Sequence, residues 1–188
     1  MSEKTSYVYS KLKLLHAKPC RESYLEFVNL AESGDLQALV VIGWFHEVGK
    51  FVPKSEEDAL KYYNLAASKG CIDAYYALGN FYKRKELFEQ SLENYLVAAQ
   101  NRHLASAFNV GIIYERGLGV AKDVSYAAKW FEFSASENHI FSLVKISHNY
   151  RKTRNLKNIF FGYFILLKAM VLGFWFMCRN KYDGRILE

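Results

Sequence analysis

Five histidines are the residues of this chain best suited to chemistry, since an imidazole can transfer a proton or bind a metal near neutral pH. They are spread along the sequence as His16, His46, His103, His139 and His148. None lies in an H-E-x-x-H motif, and the sequence contains no G-x-S-x-G, P-loop or dinucleotide-binding fingerprint. We therefore expect no catalytic residue, no metal site and no cofactor, and a protein that is not an enzyme.

The cysteines and the acidic cluster also favour structural roles. Cys20, Cys71 and Cys178 are odd in number, far apart and outside any C-x-x-C pair, which disfavours a disulfide framework or a zinc site. Free thiols fit a reducing compartment, and the amino-terminal residues carry no secretory signal, so we expect a cytoplasmic protein. The acidic run at 56–58 is expected in the first turn of a helix, where the helix dipole favours it.

An internal repeat positions these residues. Four stretches align without gaps, beginning at Gly34, Gly70, Arg102 and Asn138. In each stretch the fifth and tenth residues are small, the ninth is aliphatic, and the thirteenth is histidine or tyrosine. His103 and His139 share the second position, and His46 stands where the other stretches carry tyrosine. The repeat therefore predicts that these three histidines are structural.

A second segment follows each of the first three stretches, with small residues at both ends and aromatic rings between them. Apolar and small residues recur at helical spacing, which predicts pairs of helices. The small residues let two backbones approach closely, and the rings opposite fill the remaining space. Ser55 and Asp123 are predicted to cap second helices, and Gly70 to end one. Because one pair cannot bury its apolar face alone, successive pairs must stack.

The stretch 114–135 resembles the Sel-one-like repeat, a relative of the tetratricopeptide repeat. The family pattern is matched by Gly111, Tyr114, Gly117, Gly119, Val120, Asp123, Ala127, Trp130 and Phe131. Within this pattern, Gly117 and Gly119 belong to a loop between helices rather than to a phosphate-binding turn. The resemblance implies an all-α fold, a right-handed α/α solenoid (superhelix) of about four to five helix-turn-helix repeats. A preceding half-repeat is expected from Ser23, because this segment ends like the other second helices, at Ala31 and Gly34.

The repeat body is expected at 1–150, and residues 151–188 are expected to form a basic linker and a hydrophobic carboxyl-terminal helix. Residues 145–188 contain nine Lys/Arg and two Asp/Glu, a net charge of +7, whereas the rest of the chain carries −1, which together give the net charge of +6. Segment 159–178 contains one charge, Lys168, and is long enough to span a membrane. It also aligns with second helices, with Gly162 on Ala59 and Gly173 on Gly70. Both interpretations stay open: a membrane segment, or the second helix of a fourth repeat covered by a partner or a second copy.

The expected function is a non-enzymatic scaffold or adaptor that takes a peptide or helix of another protein in a concave groove lined by first helices. Candidate groove residues are Gln37, Asp73, Asn80 and Asn109. Candidate contacts to a partner or membrane are Arg151, Lys152, Arg154, Lys157, Phe160, Phe161, Phe164, Phe174 and Trp175. The alternatives are a tail-anchored or membrane-associated adaptor and, by resemblance, an immunity-type protein that binds a toxin or effector. Nucleic-acid binding is disfavoured because the basic residues are confined to one short stretch.

Overall fold

The computed structural model describes residues 21–152 and 155–182. All regular secondary structure in these two stretches is helical, which confirms the all-α prediction. In chain order the helices are α1 (Arg21–Glu32), α2 (Leu36–Val48), α3 (Glu56–Ser68), α4 (Ile72–Arg84), α5 (Phe88–Gln100), α6 (Leu104–Arg116), α7 (Val124–Ser136), α8 (Ile140–Arg151) and α9 (Leu156–Tyr182).

The helices alternate between two roles in the repeat. First helices are α2, α4, α6 and α8, and each is followed by a second helix, respectively α3, α5, α7 and α9. Helix α1 precedes the first pair in the place of a second helix, so the half-repeat predicted from Ser23 is present. The described helices therefore make four pairs and one half, within the predicted range of four to five repeats.

The chain divides into two compact units, Met1–Phe81 and Tyr82–Glu188, with the division inside α4. In the first unit, α1 packs on α2 through Phe27 and Phe45, whose ring centroids lie 5.7 Å apart in an edge-to-face arrangement. Ala38 and Ile42 complete this core beside them. The half-repeat is thus held by apolar burial of the kind that joins the later pairs.

Glycine at the tenth repeat position sets the distance between paired helices. A Cβ atom at Gly43 would lie 2.6 Å from Cε1 of Tyr63, and one at Gly111 would lie 2.6 Å from Cε1 of Phe131. Real Cβ atoms do not approach rings this closely, so each ring occupies the space that the missing side chain leaves. This confirms the predicted pairing of a small residue with an aromatic ring.

Side-chain caps begin the helices where the sequence predicts them. Ser55 Oγ accepts a hydrogen bond from Asp58 N at 3.1 Å, and Asp123 Oδ1 accepts one from Tyr126 N at 2.8 Å. The shorter connection between α4 and α5 is different, because Leu87 precedes α5 and makes no side-chain cap. No side-chain oxygen of residue 87 therefore accepts a hydrogen bond from the first backbone N–H groups of α5.

The first residue of every repeat adopts the left-handed conformation. Gly34 and Gly70 have φ of 92° and 84°, as glycine allows, whereas Arg102 and Asn138 hold φ of 62° and 63° with side chains present. The register therefore imposes one backbone turn at all four positions. Glycine marks this turn in two repeats, and sequence reasoning recognised it only at Gly70.

Helix α9 departs from its alignment with the shorter second helices. Gly70 follows the end of α3, whereas Gly173, which aligns with it, lies inside α9, which is helical from Leu156 to Tyr182. Residues 174–178 are apolar and include no proline, so the helical hydrogen-bond pattern continues past Gly173. Helix α9 is therefore 27 residues long, about twice the length of α3, α5 and α7.

Candidate interaction surfaces

Two of the predicted groove residues are hydrogen-bonded to each other. Gln37 in α2 and Asp73 in α4 both stand at the fourth position of their repeats, and Gln37 Nε2 donates to Asp73 Oδ2. Both belong to the first unit, as does Asn80, which lies half-buried on α4. The bond ties the successive first helices α2 and α4 together.

The fourth predicted groove residue, Asn109, is held in a similar way within the second unit. Lys83 Nζ donates to Asn109 Oδ1 at 2.9 Å, and Asn109 Nδ2 donates to Ala105 O at 2.9 Å. Burial, together with the nearby charges of Arg116 and Arg84, lowers the pKa of Lys83. The hydrogen bond from Lys83 therefore links α4 to α6.

The next repeat makes the equivalent link with an ion pair. Lys145 Nζ lies 2.6 Å from Glu115 Oε2, and it also lies 5.6 Å from the centre of the Phe131 ring. Lys83 and Glu115 hold the fourteenth repeat position, while Asn109 and Lys145 hold the eighth. Sequence reasoning missed Lys83, Glu115 and Lys145, although their shared repeat positions were a signal for the pairing.

An apolar patch lies beside this ion pair on the first helices of the second unit. Phe141 on α8 is 68% exposed, and its ring centroid lies 6.2 Å from that of Phe108 on α6 and 5.8 Å from that of His139. Val144, one helical turn further along α8, is also exposed. Phe141 holds the same repeat position as Gln37 and Asp73. We refer to Phe108, Phe141 and Val144 as the apolar patch.

The histidines beside this patch serve the fold, as the repeat predicts. His103 precedes α6, and its Nδ1 accepts a hydrogen bond from Ser106 N at 3.2 Å, in the role that Asp35 has before α2. Such a contact requires an unprotonated Nδ1, so the neutral His103 ring carries its proton on Nε2. His103 is therefore a helix cap.

His139, at the same position one repeat later, uses Nδ1 in the opposite sense. Ser134 Oγ donates to Leu104 O at 3.0 Å, and Ser142 Oγ donates to Ser134 Oγ at 2.8 Å. Since both hydroxyl protons are used, His139 Nδ1, 3.0 Å from Ser142 Oγ, must donate to it. Burial, with a smaller contribution from His103, lowers the pKa of His139. The chain of bonds joins α6, α7 and α8.

His46 belongs to a ring cluster in the first unit. Its ring stacks on Tyr62 with centroids 5.3 Å apart, and its Nδ1 lies 3.8 Å from Asp58 Oδ2. Tyr24 Oη lies 3.4 Å from His46 Nε2, and burial raises the pKa of Tyr24. Within the described parts of the chain, no group of three or more His, Cys, Asp or Glu side chains could hold a metal. Cys71 is buried, which raises the pKa of its thiol.

Helix α9 packs on α8 with a narrow stripe of its surface. A Cβ atom at Gly162 would lie 2.9 Å from Ser147 O, so the two backbones are nearly in contact. Ala169 is 2% exposed and joins Leu143 in one core cluster. The remaining side chains of this cluster are Ala135, Ile140, Ile146, Ile165 and Leu172. Helix α9 therefore occupies the place of the second helix of a fourth repeat.

Most of the rest of α9 is exposed and apolar. Phe160 is 74% exposed, Phe164 65% and Leu167 58%. The other exposed apolar side chains of α9 are Leu156, Phe161, Tyr163, Met170, Val171, Phe174, Trp175, Phe176 and Met177. By length and composition, Leu156–Met177 is long and apolar enough to cross a membrane. We call the exposed side of α9 centred on Leu167 the apolar fan.

The predicted basic contacts fall into two groups. Arg151 lies against α9: its guanidinium carbon is 5.3 Å from the centre of the Tyr163 ring, and its Nε donates to Ser147 O at 3.4 Å. Lys152 and Lys157 are exposed. Arg154 lies outside the described residues. Arg151 therefore supports the packing of α9, and Lys152 and Lys157 face solvent.

The sequence profile of the Sel1 repeat matches residues 36–71 and 104–139. Protein sel-1 homolog 2 of Mus musculus is 34% identical over 99 residues, which cover 47% of this chain and 14% of that protein. The HRD3 component of an ERAD-associated E3 ubiquitin-protein ligase in Candida glabrata is 31% identical over 90 residues, covering 47% of this chain and 11% of that protein. The matched part is thus a small fraction of these relatives.

Two solved structures have the same fold. A Sel1 repeat protein from Oxalobacter formigenes superposes with a TM-score of 0.72 at 19% identity, covering 88% of this chain and 70% of that one. A protective antigen of uropathogenic Escherichia coli, described as having an SLR fold, superposes with a TM-score of 0.70 at 19% identity, covering 85% of this chain and 37% of that one. These likenesses establish the fold as an all-α helical-repeat solenoid.

Proposed function

Because this chain is a Sel1-like repeat protein, we propose that it is a non-enzymatic scaffold that binds another protein. Members of this repeat family mediate interactions between proteins. One of the relatives is by name a component of a ubiquitin-protein ligase. We place the binding surface on the first helices, where the groove was expected.

The apolar patch beside the Glu115–Lys145 ion pair is the observation that supports this proposal. An exposed phenylalanine on the same helix as a charged residue, Lys145, is typical of an interface, where an aromatic anchor is accompanied by polar contacts. The side chain of Phe141 stands on Phe108 and His139 and so loses little conformational entropy on binding. A peptide or helix with one apolar side chain between polar ones would fit this surface.

A single charge placed in the patch tests the proposal. Phe141→Glu is compared with Leu65→Glu, a matched control at an exposed leucine on the second helix α3. Tagged full-length chains are expressed in and purified from cells of the source organism, and the co-purifying proteins are quantified. We expect one protein to be retained by the wild type and by the control and lost by Phe141→Glu. If Phe141→Glu retains every protein that the wild type retains, the patch is not the binding surface.

We further propose that the protein associates with a membrane through α9, with the repeats on the cytoplasmic side. The apolar fan supports this second function, because soluble monomers rarely expose an apolar surface of this extent. Fractionation of cells without detergent tests it. We expect the full-length chain in the membrane fraction, and a soluble, monodisperse chain would contradict the proposal.

A further inference from the structure

We propose that α9 lies along an anionic lipid surface, rather than across the bilayer, while it stays docked on α8. This inference rests on the membrane association proposed above and adds its geometry and its lipid chemistry. Three features of the second unit support it: the docked stripe of α9 that packs on α8, the position of Lys168, and the charge around the apolar fan. The docked stripe consists of Gly162, Ile165, Ala169 and Leu172.

The docked stripe conflicts with a membrane-spanning α9. Gly162 lies against the backbone of α8 at Ser147, and Ala169 packs in the cluster with Leu143. The other side of α8 carries exposed polar groups, His148 and Asn149 among them, which do not enter hydrocarbon. A spanning α9 would have to leave α8 and expose Leu143 to water. A helix lying in the plane of the surface keeps this packing.

Lys168 stands near the midpoint of the apolar stretch Leu156–Met177. In a spanning helix its ammonium group would lie close to the bilayer centre. There the unfavourable free energy of inserting a lysine exceeds the favourable free energy of inserting any one apolar residue. Lys157 and Lys168 are eleven residues apart, about three helical turns, so both lie on the same side of α9. That side borders the apolar fan. In a helix lying in the plane, both amines reach the headgroups while the fan enters the acyl region.

Charge favours an anionic surface over a second copy of the chain as the occupant. Residues 145–188 carry nine Lys/Arg and two Asp/Glu, so two copies meeting through α9 would repel each other. The same charge attracts anionic lipids, each basic residue adding to the affinity near the surface. Lys152, Lys157 and Lys168 are exposed and available for this contact.

Vesicle binding and cysteine labelling test the proposal on the full-length protein. Vesicles of phosphatidylcholine are compared with vesicles that also contain phosphatidylserine, and bound protein is measured by co-sedimentation. We expect binding at least about ten-fold stronger with phosphatidylserine, and weakened by added salt. Lys168→Cys and Leu167→Cys are then labelled with a membrane-impermeant maleimide, with the wild-type chain as the background for the native cysteines.

Adding anionic vesicles should leave Lys168→Cys reactive, because this side borders the headgroups, and should slow labelling of Leu167→Cys more than about ten-fold. Protection of both cysteines on bound vesicles would overturn the in-plane orientation while leaving membrane association intact. A chain that does not sediment with either vesicle, or that forms a dimer by light scattering without lipid and fails to bind, would overturn the membrane association itself.

Discussion

Gly111 shows at the scale of one residue how the repeat sets the distance between paired helices. Gly111→Ala would place a Cβ atom 2.6 Å from Cε1, 2.8 Å from Cδ1 and 2.9 Å from Cζ of Phe131, and this ring is fully buried. Overpacking of this kind costs about 1–3 kcal/mol. We expect that loss in the free energy of unfolding, measured by urea denaturation.

Gly173→Ala is the matched control for this substitution. Gly173 is also helical, but beyond the local backbone of its own helix no atom lies within 4 Å of the position of its added Cβ. Alanine should therefore leave stability unchanged or raise it by up to about 1 kcal/mol, since glycine is the poorer helix former. Equal destabilisation by both substitutions would show that the contact with Phe131 does not set the helix spacing.

His139 makes a second prediction at the residue scale, in the dependence of stability on pH. Its pKa in the folded chain lies below the usual 6.5, so the unfolded chain binds the proton at higher pH. The contribution of His139 to the free energy of unfolding is fully present above about pH 6.5, where the ring is neutral in both states. It is lost as the pH falls from there through the pKa of the folded chain. His139→Asn keeps an N–H donor for Ser142 without the titration, and we expect a shallower pH dependence of the urea midpoint.

His148→Asn provides the comparison, because His148 lies exposed on the same helix, α8. This variant should keep the pH dependence of the wild-type chain. If His139→Asn and the wild type lose stability equally between pH 7 and pH 5, burial of His139 does not destabilise the protein in acid.

At the scale of one helix, α7 begins with a side-chain cap and α5 does not, so a cap can be removed from α7 and added to α5. Asp123→Ala removes the acceptor for Tyr126 N and should cost about 1 kcal/mol of unfolding free energy. Leu87 precedes α5 without a side-chain cap and is 44% exposed, so Leu87→Ser should stabilise the chain by about 0.5 kcal/mol or more. Thermal denaturation of both variants measures the two effects. A Leu87→Ser chain no more stable than the wild type would contradict a role for this missing cap.

The helices, the caps Ser55 and Asp123 and the glycine–ring contacts could be predicted because each follows from residue types at fixed repeat positions. Each glycine contacts a ring on the second helix of its own pair, 20 residues further along the chain: Tyr63 for Gly43 and Phe131 for Gly111. The shared spacing identifies both contacts. The Lys83–Asn109 and Glu115–Lys145 links depend instead on the distance between successive first helices. That distance is set by packing over many residues, so polarity alone predicts neither link, although the shared eighth and fourteenth repeat positions indicate both.

For the whole molecule, the two interpretations of segment 159–178, a membrane segment and the second helix of a fourth repeat, are compatible with each other. Helix α9 is apolar on nearly every side, so periodicity alone does not distinguish the residues that pack on α8 from the exposed ones. The packed residues are Gly162, Ile165, Ala169 and Leu172. The same helix therefore packs as a repeat and keeps a membrane-compatible surface. The division of the chain after Tyr150 stays a prediction.

Removal of α9 by a stop after Lys152 tests how the second unit depends on its last helix. Leu143 and Ile146 would become exposed, at a cost of about 3 kcal/mol or more. Because a repeat contacts mainly its neighbours, we expect hydrogen exchange to quicken most in α8, less in α7 and least in α6. Full-length Leu167→Glu alters the apolar fan and spares the stripe, so it should leave exchange in α8 slow. If Leu167→Glu quickens exchange as much as the truncation does, the fan rather than the stripe holds α8 in place.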